Sequence, residues 1–290
     1  MSILVTGATG QIGSLVVERL AKEGADVMAL TRDPSKIKPN DKVRAVKGDM
    51  TDPARMREIL KETRTLFLLN AAAADELTQA MMTLDLAREA GIQRIVYFSV
   101  SQCELFVDVP HFASKYAIER LITSQAIPAS MMRSGYFMQN DLAVIEAVKS
   151  GIYPTPIGQR GVTMIDARDI ADAITIELLR RDRTAHALPA TQIDLVGPAA
   201  LGGDDVAAIW SEVSRKPVHY NAVDLETFEQ QLATRLPGWL AHDLRVMLRG
   251  VQHFGVIPSV ESIAILEGVL GRPLRTYRAF AEEVWAAQPA

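Results

Sequence analysis

The stretch Ser2-Ile3-Leu4-Val5-Thr6-Gly7-Ala8-Thr9-Gly10-Gln11-Ile12-Gly13-Ser14-Leu15-Val16-Val17-Glu18-Arg19-Leu20 decides how this chain is read. Ile3–Val5 is a short apolar run suited to a buried strand. The glycines then force a tight turn, and Leu15, Val16 and Leu20 recur with helical spacing. Gly7 permits a turn that a Cβ would obstruct. Gly10 lets a backbone approach a pyrophosphate, and Gly13 lets the helix pack closely on its strand. Free N–H groups at the start of the helix, aided by its dipole, hold phosphate. A strand–turn–helix context makes this a dinucleotide-binding pattern formed by Gly7, Thr9, Gly10, Gln11, Ile12 and Gly13. The alternative is a glycine-rich βα turn without a ligand.

Outward from that turn, strand and helix patterns alternate. Ile3–Val5, Val27–Leu30, Val43–Val46, Leu66–Leu69 and Ile95–Phe98 read as largely apolar strands, as in a parallel sheet covered on both faces. Helical stretches at Gln11–Glu23, Pro53–Lys61, Glu76–Ala90 and about Phe112–Ser124 separate them. Asp52-Pro53 reads as an N-cap followed by proline at the first helical position, and Gly24 and Gly91 stand as C-terminal glycines. The expectation is an α/β fold: a Rossmann-type doubly wound parallel sheet with a smaller, mostly helical C-terminal substrate domain. Its boundaries are residues 1–150 for the first domain and 151–290 for the second. A strand near Val162–Ile165 and a helix over Ala167–Arg180 suggest that residues 160–182 return to the first domain. Ile193–Val196 reads as a further strand and Asp204–Ser214 as a helix. The remainder is mainly helical, broken at Pro237, Pro258 and Pro273.

Composition bounds the function classes. The chain has 290 residues, 48% hydrophobic and 23% charged, with a formal net charge of −4, which steers it toward neither nucleic acid nor an anionic membrane. Cys103 is the single cysteine, so no intrachain disulfide forms, and the composition suits a reducing cytoplasm. No signal peptide and no apolar run of membrane-spanning length is read. No Cys/His cluster suggests a metal, since His242 and His253 lack ligand spacing. Neither G-x-S-x-G nor a Ser-His-Asp order suggests a hydrolase.

The second strand runs into Thr31-Arg32-Asp33-Pro34-Ser35-Lys36. An acidic residue at that strand end would take a ribose 2′-hydroxyl. Arg32 instead offers a guanidinium to a 2′-phosphate, which predicts NADP(H) in preference to NAD(H). Asp33 works against this if its carboxylate faces the site, and the alternative is a solvated Arg32 in a charged loop. In Gly48-Asp49-Met50, Asp49 either accepts from an adenine amino group or caps the turn before Thr51. Met50 and Asn70 belong to the same expected cofactor site. So does Ser99, while Ser101 is expected in the substrate pocket; both stand at the end of the fifth strand, where open sheets place ligands, and the alternative for each is that it only caps the strand end.

Several ordered motifs resemble the NmrA-like branch of the atypical short-chain dehydrogenases/reductases. They are Gly7–Gly13, Arg32, Gly48-Asp49-Met50, Tyr97-Phe98-Ser99-Val100-Ser101, His111–Arg120, Arg133–Asn140, Asp166–Ala171 and the run from Gly197 to Val218. One departure is Ser134, where relatives usually carry proline. The resemblance implies a Rossmann fold and an NAD(P) cofactor. In function it implies either a quinone-reductase-like enzyme or a redox sensor. Short-chain dehydrogenases typically use Tyr-x-x-x-Lys, the lysine holding the nicotinamide ribose and the tyrosine moving a proton. Here His111 and Lys115 occupy those positions, four apart and on one helical face. Lys115 keeps the ribose role, and an imidazole that titrates near neutrality can relay a proton. The bland readings are a solvated Lys115 and a helix-terminal His111. Tyr136, Phe137, Met138 and Asn140 are expected at the mouth of an apolar pocket for a flat acceptor, with Trp239, His242 and His253 on its far side; the alternative is an ordinary hydrophobic corner under the second domain. Cys103 reads as an inert thiol.

Two functions follow. One is an NAD(P)H-dependent oxidoreductase that passes hydride to a small-molecule acceptor, a quinone or an enone or carbonyl compound. The other is an NADP-binding sensor that acts through a protein partner. A homodimer is compatible with either.

Overall fold

The computed structural model describes residues 2–38 and 40–288. Met1, Pro39, Pro289 and Ala290, at the ends and within the first of the two expected domains, lie outside the described residues. Contacts divide the chain into two compact units. Unit 1 comprises Met1–Cys103, His111–Arg133 and Ile170–Ile193, and unit 2 comprises Glu104–Pro110, Ser134–Asp169 and Asp194–Ala290. The chain thus leaves unit 1 before residue 150, and the returning segment starts at Ile170 rather than residue 160. The reason lies in a strand at Val162–Ile165, which pairs with short strands at Tyr136–Phe137 and Ala200–Leu201 in unit 2.

Unit 1 is built from β1 (Ser2–Val5), α1 (Gln11–Lys22), β2 (Val27–Thr31), β3 (Val43–Lys47), α2 (Pro53–Lys61), β4 (Thr63–Leu68), α3 (Glu76–Glu89), β5 (Ile95–Val100), α4 (Pro110–Ser124) and β6 (Ala129–Ser134). In unit 2, β7 (Tyr136–Phe137), α5 (Ile145–Lys149), β8 (Ile152–Tyr153) and β9 (Val162–Ile165) follow. The chain then returns to unit 1 through α6 (Ala167–Arg183) and β10 (Thr191–Leu195). A seven-stranded sheet in the order β10-β6-β5-β4-β1-β2-β3 forms its centre, with β1, β2, β3, β4 and β5 joined by parallel pairings. The order reverses between β1 and β4, which places a crevice at the carboxyl ends of those two strands.

Both faces of the sheet are covered, which explains why its strands carry little alternation. Leu4, Met28, Leu30, Leu66, Leu68, Ile95 and Tyr97 form one face with Met56, Ile59, Leu60, Leu84, Ile118 and Ile122 from α2, α3 and α4. Their neighbours Ile3, Val5, Val27, Ala29, Phe67 and Val96 are also buried, as are Ile12, Val16, Val17 and Leu20 of α1. Each buried aliphatic side chain contributes roughly 1.5–3 kcal/mol from burial. Arg19 of α1 and Asp172 of α6 form an ion pair. Asp52 caps α2 by accepting from Arg55 N, with Pro53 at the first helical position.

Two strands differ from the sequence reading. β4 starts at Thr63, earlier than the apolar run, because buried threonines take polar partners: Thr65 Oγ1 donates to Asp182 Oδ1 at 2.6 Å. β6 escapes the apolar criterion because Ser130, Arg133 and Ser134 interrupt it. Ser130 Oγ lies 2.9 Å from Thr191 Oγ1, and Arg133 pairs with Glu119.

Unit 2 continues with β11 (Ala200–Leu201), α7 (Gly203–Ser214), β12 (His219–Tyr220), α8 (Leu225–Ala233), α9 (Gly238–Phe254), α10 (Val260–Leu270) and α11 (Tyr277–Ala286). It is mostly helical, with two small sheets, β11-β9-β7 and β12-β8. Among the described residues no helix is long and apolar enough to cross a membrane.

Candidate functional site

The turn after β1 is shaped by contacts that only glycine allows. Gly7 has φ +59°, and a Cβ there would lie 2.9 Å from Leu69 Cγ. A Cβ on Gly13 would stand 2.1 Å from Gly7 O, so α1 could not sit where it does. Gly10 is different. It is exposed, its φ of −81° suits any residue, and an added Cβ would meet only Gly7 O, at 3.3 Å. No strained φ demands glycine at position 10, and the close contact with Gly7 O and the N-cap position favour a small residue there; a ligand backed against the chain would demand glycine. Gly10 is also the N-cap of α1 and provides no side-chain acceptor, and no acidic residue lies in the first turn. The N–H groups of that turn are left for an anion.

The turn is locked to the end of β4. Thr6 Oγ1 donates to Leu69 O at 2.8 Å and accepts from Leu69 N at 2.8 Å. Asn70 therefore follows directly beside the glycine turn. On the other flank, β2 ends in Arg32, which is exposed and enters no hydrogen bond or ion pair with a described residue. The concern over Asp33 is answered locally. Its carboxylate caps the short turn Pro34–Lys36, accepting from Ser35 N at 3.1 Å and Ser35 Oγ at 2.7 Å, which lowers its pKa. Asp49 takes the capping alternative. It accepts from Thr51 N at 2.9 Å and Thr51 Oγ1 at 2.7 Å, and these bonds, with a smaller contribution from the Arg32 charge, lower its pKa.

Beyond β4 and β5 lies a buried polar group. Lys115 is 8% exposed, so the solvated reading of this side chain is excluded. Its Nζ donates to Glu76 Oε1 at 2.8 Å and lies 3.5 Å from Phe98 O. Glu76, at the first position of α3, is 2% exposed. Three buried polar atoms from this end of the sheet have no partner: Glu76 Oε2, Asn70 Oδ1 and Ser99 Oγ. Asn70 Nδ2 is 3.9 Å from the sulfur of the buried Met50 and 3.5 Å from Gln79 Oε1. His111, half-buried, stands one turn before Lys115, its ring edge-to-face on Phe112. Ser101 is buried. Cys103 is fully buried, with its sulfur 3.5 Å from Glu119 Oε2.

The residues thus fit a dinucleotide: a glycine cradle with unused N–H groups at the centre, a free guanidinium beyond β2, and orphaned acceptors beyond β4 and β5. Sequence reasoning missed Glu76. Asp75-Glu76 reads as an ordinary acidic helix start, and burial of a carboxylate has no signature in one sequence.

Tyr136, Phe137, Met138 and Asn140 belong to unit 2. Met138 is fully buried, which corrects its expected place at a pocket mouth; Tyr136 and Phe137 are half-buried and Asn140 is exposed. Trp239 is 40% exposed, and His242 Nδ1 lies 3.0 Å from Glu229 Oε1. A second buried polar group in this unit was also unread. Asp141, 1% exposed, accepts from the hydroxyls of Tyr136 at 3.2 Å, Tyr153 at 3.1 Å and Tyr277 at 2.6 Å. Trp210 Nε1 donates to Tyr277 Oη at 2.9 Å. Burial pushes the Asp141 carboxyl up to about 6, and the three hydroxyl bonds pull against that rise. Among the described residues no three His, Cys, Asp or Glu side chains gather as a metal cage would require.

Comparison with known proteins accords with this architecture. An NAD(P)H azoreductase of Xenophilus azovorans is 29% identical over 294 residues, covering 98% of each chain. An NADPH-dependent quinone oxidoreductase of Escherichia coli, solved with NADPH, superposes with a TM-score of 0.82 at 23% identity, covering 98% of this chain and 99% of that one. NmrA, a negative transcriptional regulator solved with NADP, superposes with a TM-score of 0.77 at 17% identity, covering 98% and 95%. The model of the NmrA-like family matches residues 1–281, and the chain belongs to that family.

Proposed function

We propose that this chain is an NADPH-dependent oxidoreductase that delivers hydride to a small acceptor, a quinone or an enone or carbonyl compound. The observation that carries the reading is the exposed Arg32 guanidinium, without a hydrogen bond or ion pair to a described residue, at the strand end next to a glycine cradle whose exposed Gly10 needs no left-handed φ. The names of the azoreductase and quinone oxidoreductase relatives support the reaction class.

The nicotinamide of the bound cofactor would supply hydride. Gly7–Gly13 and the first turn of α1 hold the pyrophosphate. Arg32 takes the 2′-phosphate through charge-assisted bonds, with the neighbouring Asp33 carboxylate committed to Ser35 and that of Asp49 to Thr51. Asn70 and Ser99 offer buried polar atoms to the other half of the ligand. Lys115 holds its position through Glu76, and His111, one turn away, relays a proton where the acceptor needs one. A quinone needs little help, because its reduced oxyanion is stabilised by the ring and can take a proton from water.

A second reading has its own observation. Lys115 is already ion-paired with Glu76, so its charge is neutralised and cannot strongly acidify a neighbour. That favours a chain that holds NADP(H) and reports it to a protein partner. Titration with NADPH and NADH, set beside NADPH oxidation across quinones, enones and an azo dye, separates the two. Turnover on any acceptor supports the reductase. Tight NADPH binding with no turnover leaves the sensor, and no binding of either cofactor rejects both.

A further inference from the structure

The Glu76–Lys115 pair is poorly explained as a device for stability. Burying two charges is costly, and their attraction offsets this only when the remaining lone pairs are satisfied. Here Glu76 Oε2 is buried with no donor at all. An apolar pair of similar volume would serve the fold as well, so the arrangement points to a group that comes from outside the chain. We propose that Glu76 is a ligand-binding residue, with Oε1 holding Lys115 and Oε2 accepting a hydroxyl hydrogen from the distal ribose of the dinucleotide. The inference rests on the cofactor reading above and adds to it a named acceptor.

Topology supplies the identity of the donor. The sheet order is β5-β4-β1-β2, with the phosphate cradle after β1. Arg32 ends β2, on one side of the cradle. Asn70 follows β4, Ser99 lies near the end of β5, and Glu76 opens the helix after Asn70, all on the other side. A dinucleotide with its pyrophosphate over the cradle and its 2′-phosphate at Arg32 must extend its second nucleoside over β4 and β5. The hydroxyls of that ribose are donors that can satisfy a buried carboxylate oxygen. An ordered water could satisfy one orphan. One water does not by itself account for unpartnered atoms on three residues, Asn70 and Glu76 in the β4–α3 connection and Ser99 in β5.

The test uses two fragments and the intact protein. Adenosine 2′,5′-bisphosphate stops short of the second ribose; 2′-phospho-ADP-ribose contains it and lacks nicotinamide. In the wild type the longer fragment should bind ~10-fold tighter or better, the range for a bond to a charged group. Glu76→Gln should shrink that ratio to about 2-fold or less and leave the bisphosphate Kd unchanged within about 2-fold, since the amide cannot serve both Lys115 and a hydroxyl as acceptor. If Glu76→Gln does not accumulate folded, Glu76→Asp keeps the charge, withdraws the oxygens by one methylene and should also shrink the ratio. Equal weakening of both fragments would show that Glu76 acts through the fold and overturn the proposal. An unchanged ratio in a folded variant would overturn it too, as would a wild-type ratio near one. If the wild type binds neither fragment and no NADPH, the cofactor reading itself falls and takes this inference with it.

Discussion

Each unit buries several carboxylates, and two of the clusters built on them, around Asp141 and around Glu76, differ in one respect. Asp141 in unit 2 is met by three tyrosine hydroxyls, and the indole N–H of Trp210 backs Tyr277. Glu76 in unit 1 has one oxygen on Lys115 and the other on nothing, and at the same end of the sheet Asn70 Oδ1 and Ser99 Oγ are also without a partner. A satisfied buried network specifies a core; a half-satisfied one weakens it. The first cluster is therefore part of the architecture of unit 2, and the second is the one proposed above to be completed by a ligand. The comparison assigns stability to one carboxylate and binding to the other, and it can be broken at either end.

The largest effect concerns the cradle that supplies that ligand. Gly10→Val should abolish NADPH binding, weakening it by ~100-fold or more, because the side chain projects where phosphate must approach. Its cost to folding should be only about 1 kcal/mol, the scale of a poor N-cap, since a Cβ there meets nothing closer than Gly7 O at 3.3 Å. Isothermal titration beside thermal unfolding measures both, and a folded variant that binds like wild type places the site elsewhere.

Next in size is the satisfied cluster. Asp141→Ala strands three buried hydroxyls and should cost on the order of 3 kcal/mol in denaturant unfolding. The same carboxylate gives a pH signature. Its pKa is raised to about 6 from an ordinary 3.8, so between those values the folded chain holds a proton that the unfolded chain has lost. This contribution to stability is fully present below about 4, falls as pH rises towards about 6, and is then flat. Carboxylates with lowered pKa, such as those of Asp166 and Glu177, slope the other way. The Asp141 part is therefore read as the difference between wild type and Asp141→Asn across pH 4–7. A constant difference would show that Asp141 does not titrate in that window.

Arg32→Ala comes third. It should weaken NADPH by roughly 1.5–3 kcal/mol, the range for a hydrogen bond to a charged group, and leave NADH nearly unchanged. Fluorescence titration with both cofactors checks it. Equal losses, or a wild-type preference for NADH, would remove the 2′-phosphate from Arg32.

These predictions also mark what one sequence can reveal. The Gly7–Gly13 turn, Arg32 and the five apolar strands were legible because each is a local pattern: glycine spacing, a first charge at a strand end, a short apolar run. β6 was not, because Ser130, Arg133 and Ser134 break its run and find their partners far along the chain, at Thr191 and Glu119 among them. Glu76 and Asp141 were illegible for the same reason. Met138, read as a pocket residue from its apolar company, is core. Lys115 was legible as a position, but its burial and its pairing with Glu76, 39 residues earlier, were not.

The smallest effect sharpens the contrast most. Ser99→Ala removes a buried hydroxyl that bonds to nothing, so the free protein should be unchanged in stability or slightly more stable, by a few tenths of a kcal/mol. Tyr153→Phe removes a hydroxyl of similar burial that donates to Asp141 at 3.1 Å, and should cost about 1–2 kcal/mol at neutral pH, where the carboxylate is charged. With NADPH present the order should reverse. Ser99→Ala should lose part of the thermal shift the cofactor gives the wild type, because the ligand can no longer use that hydroxyl, whereas Tyr153→Phe should keep its whole shift. Melting curves of both variants with and without NADPH decide the matter. If the free Ser99→Ala protein is destabilised as much as Tyr153→Phe, the hydroxyl has a structural partner, and the distinction between a finished cluster and one that awaits its ligand does not hold.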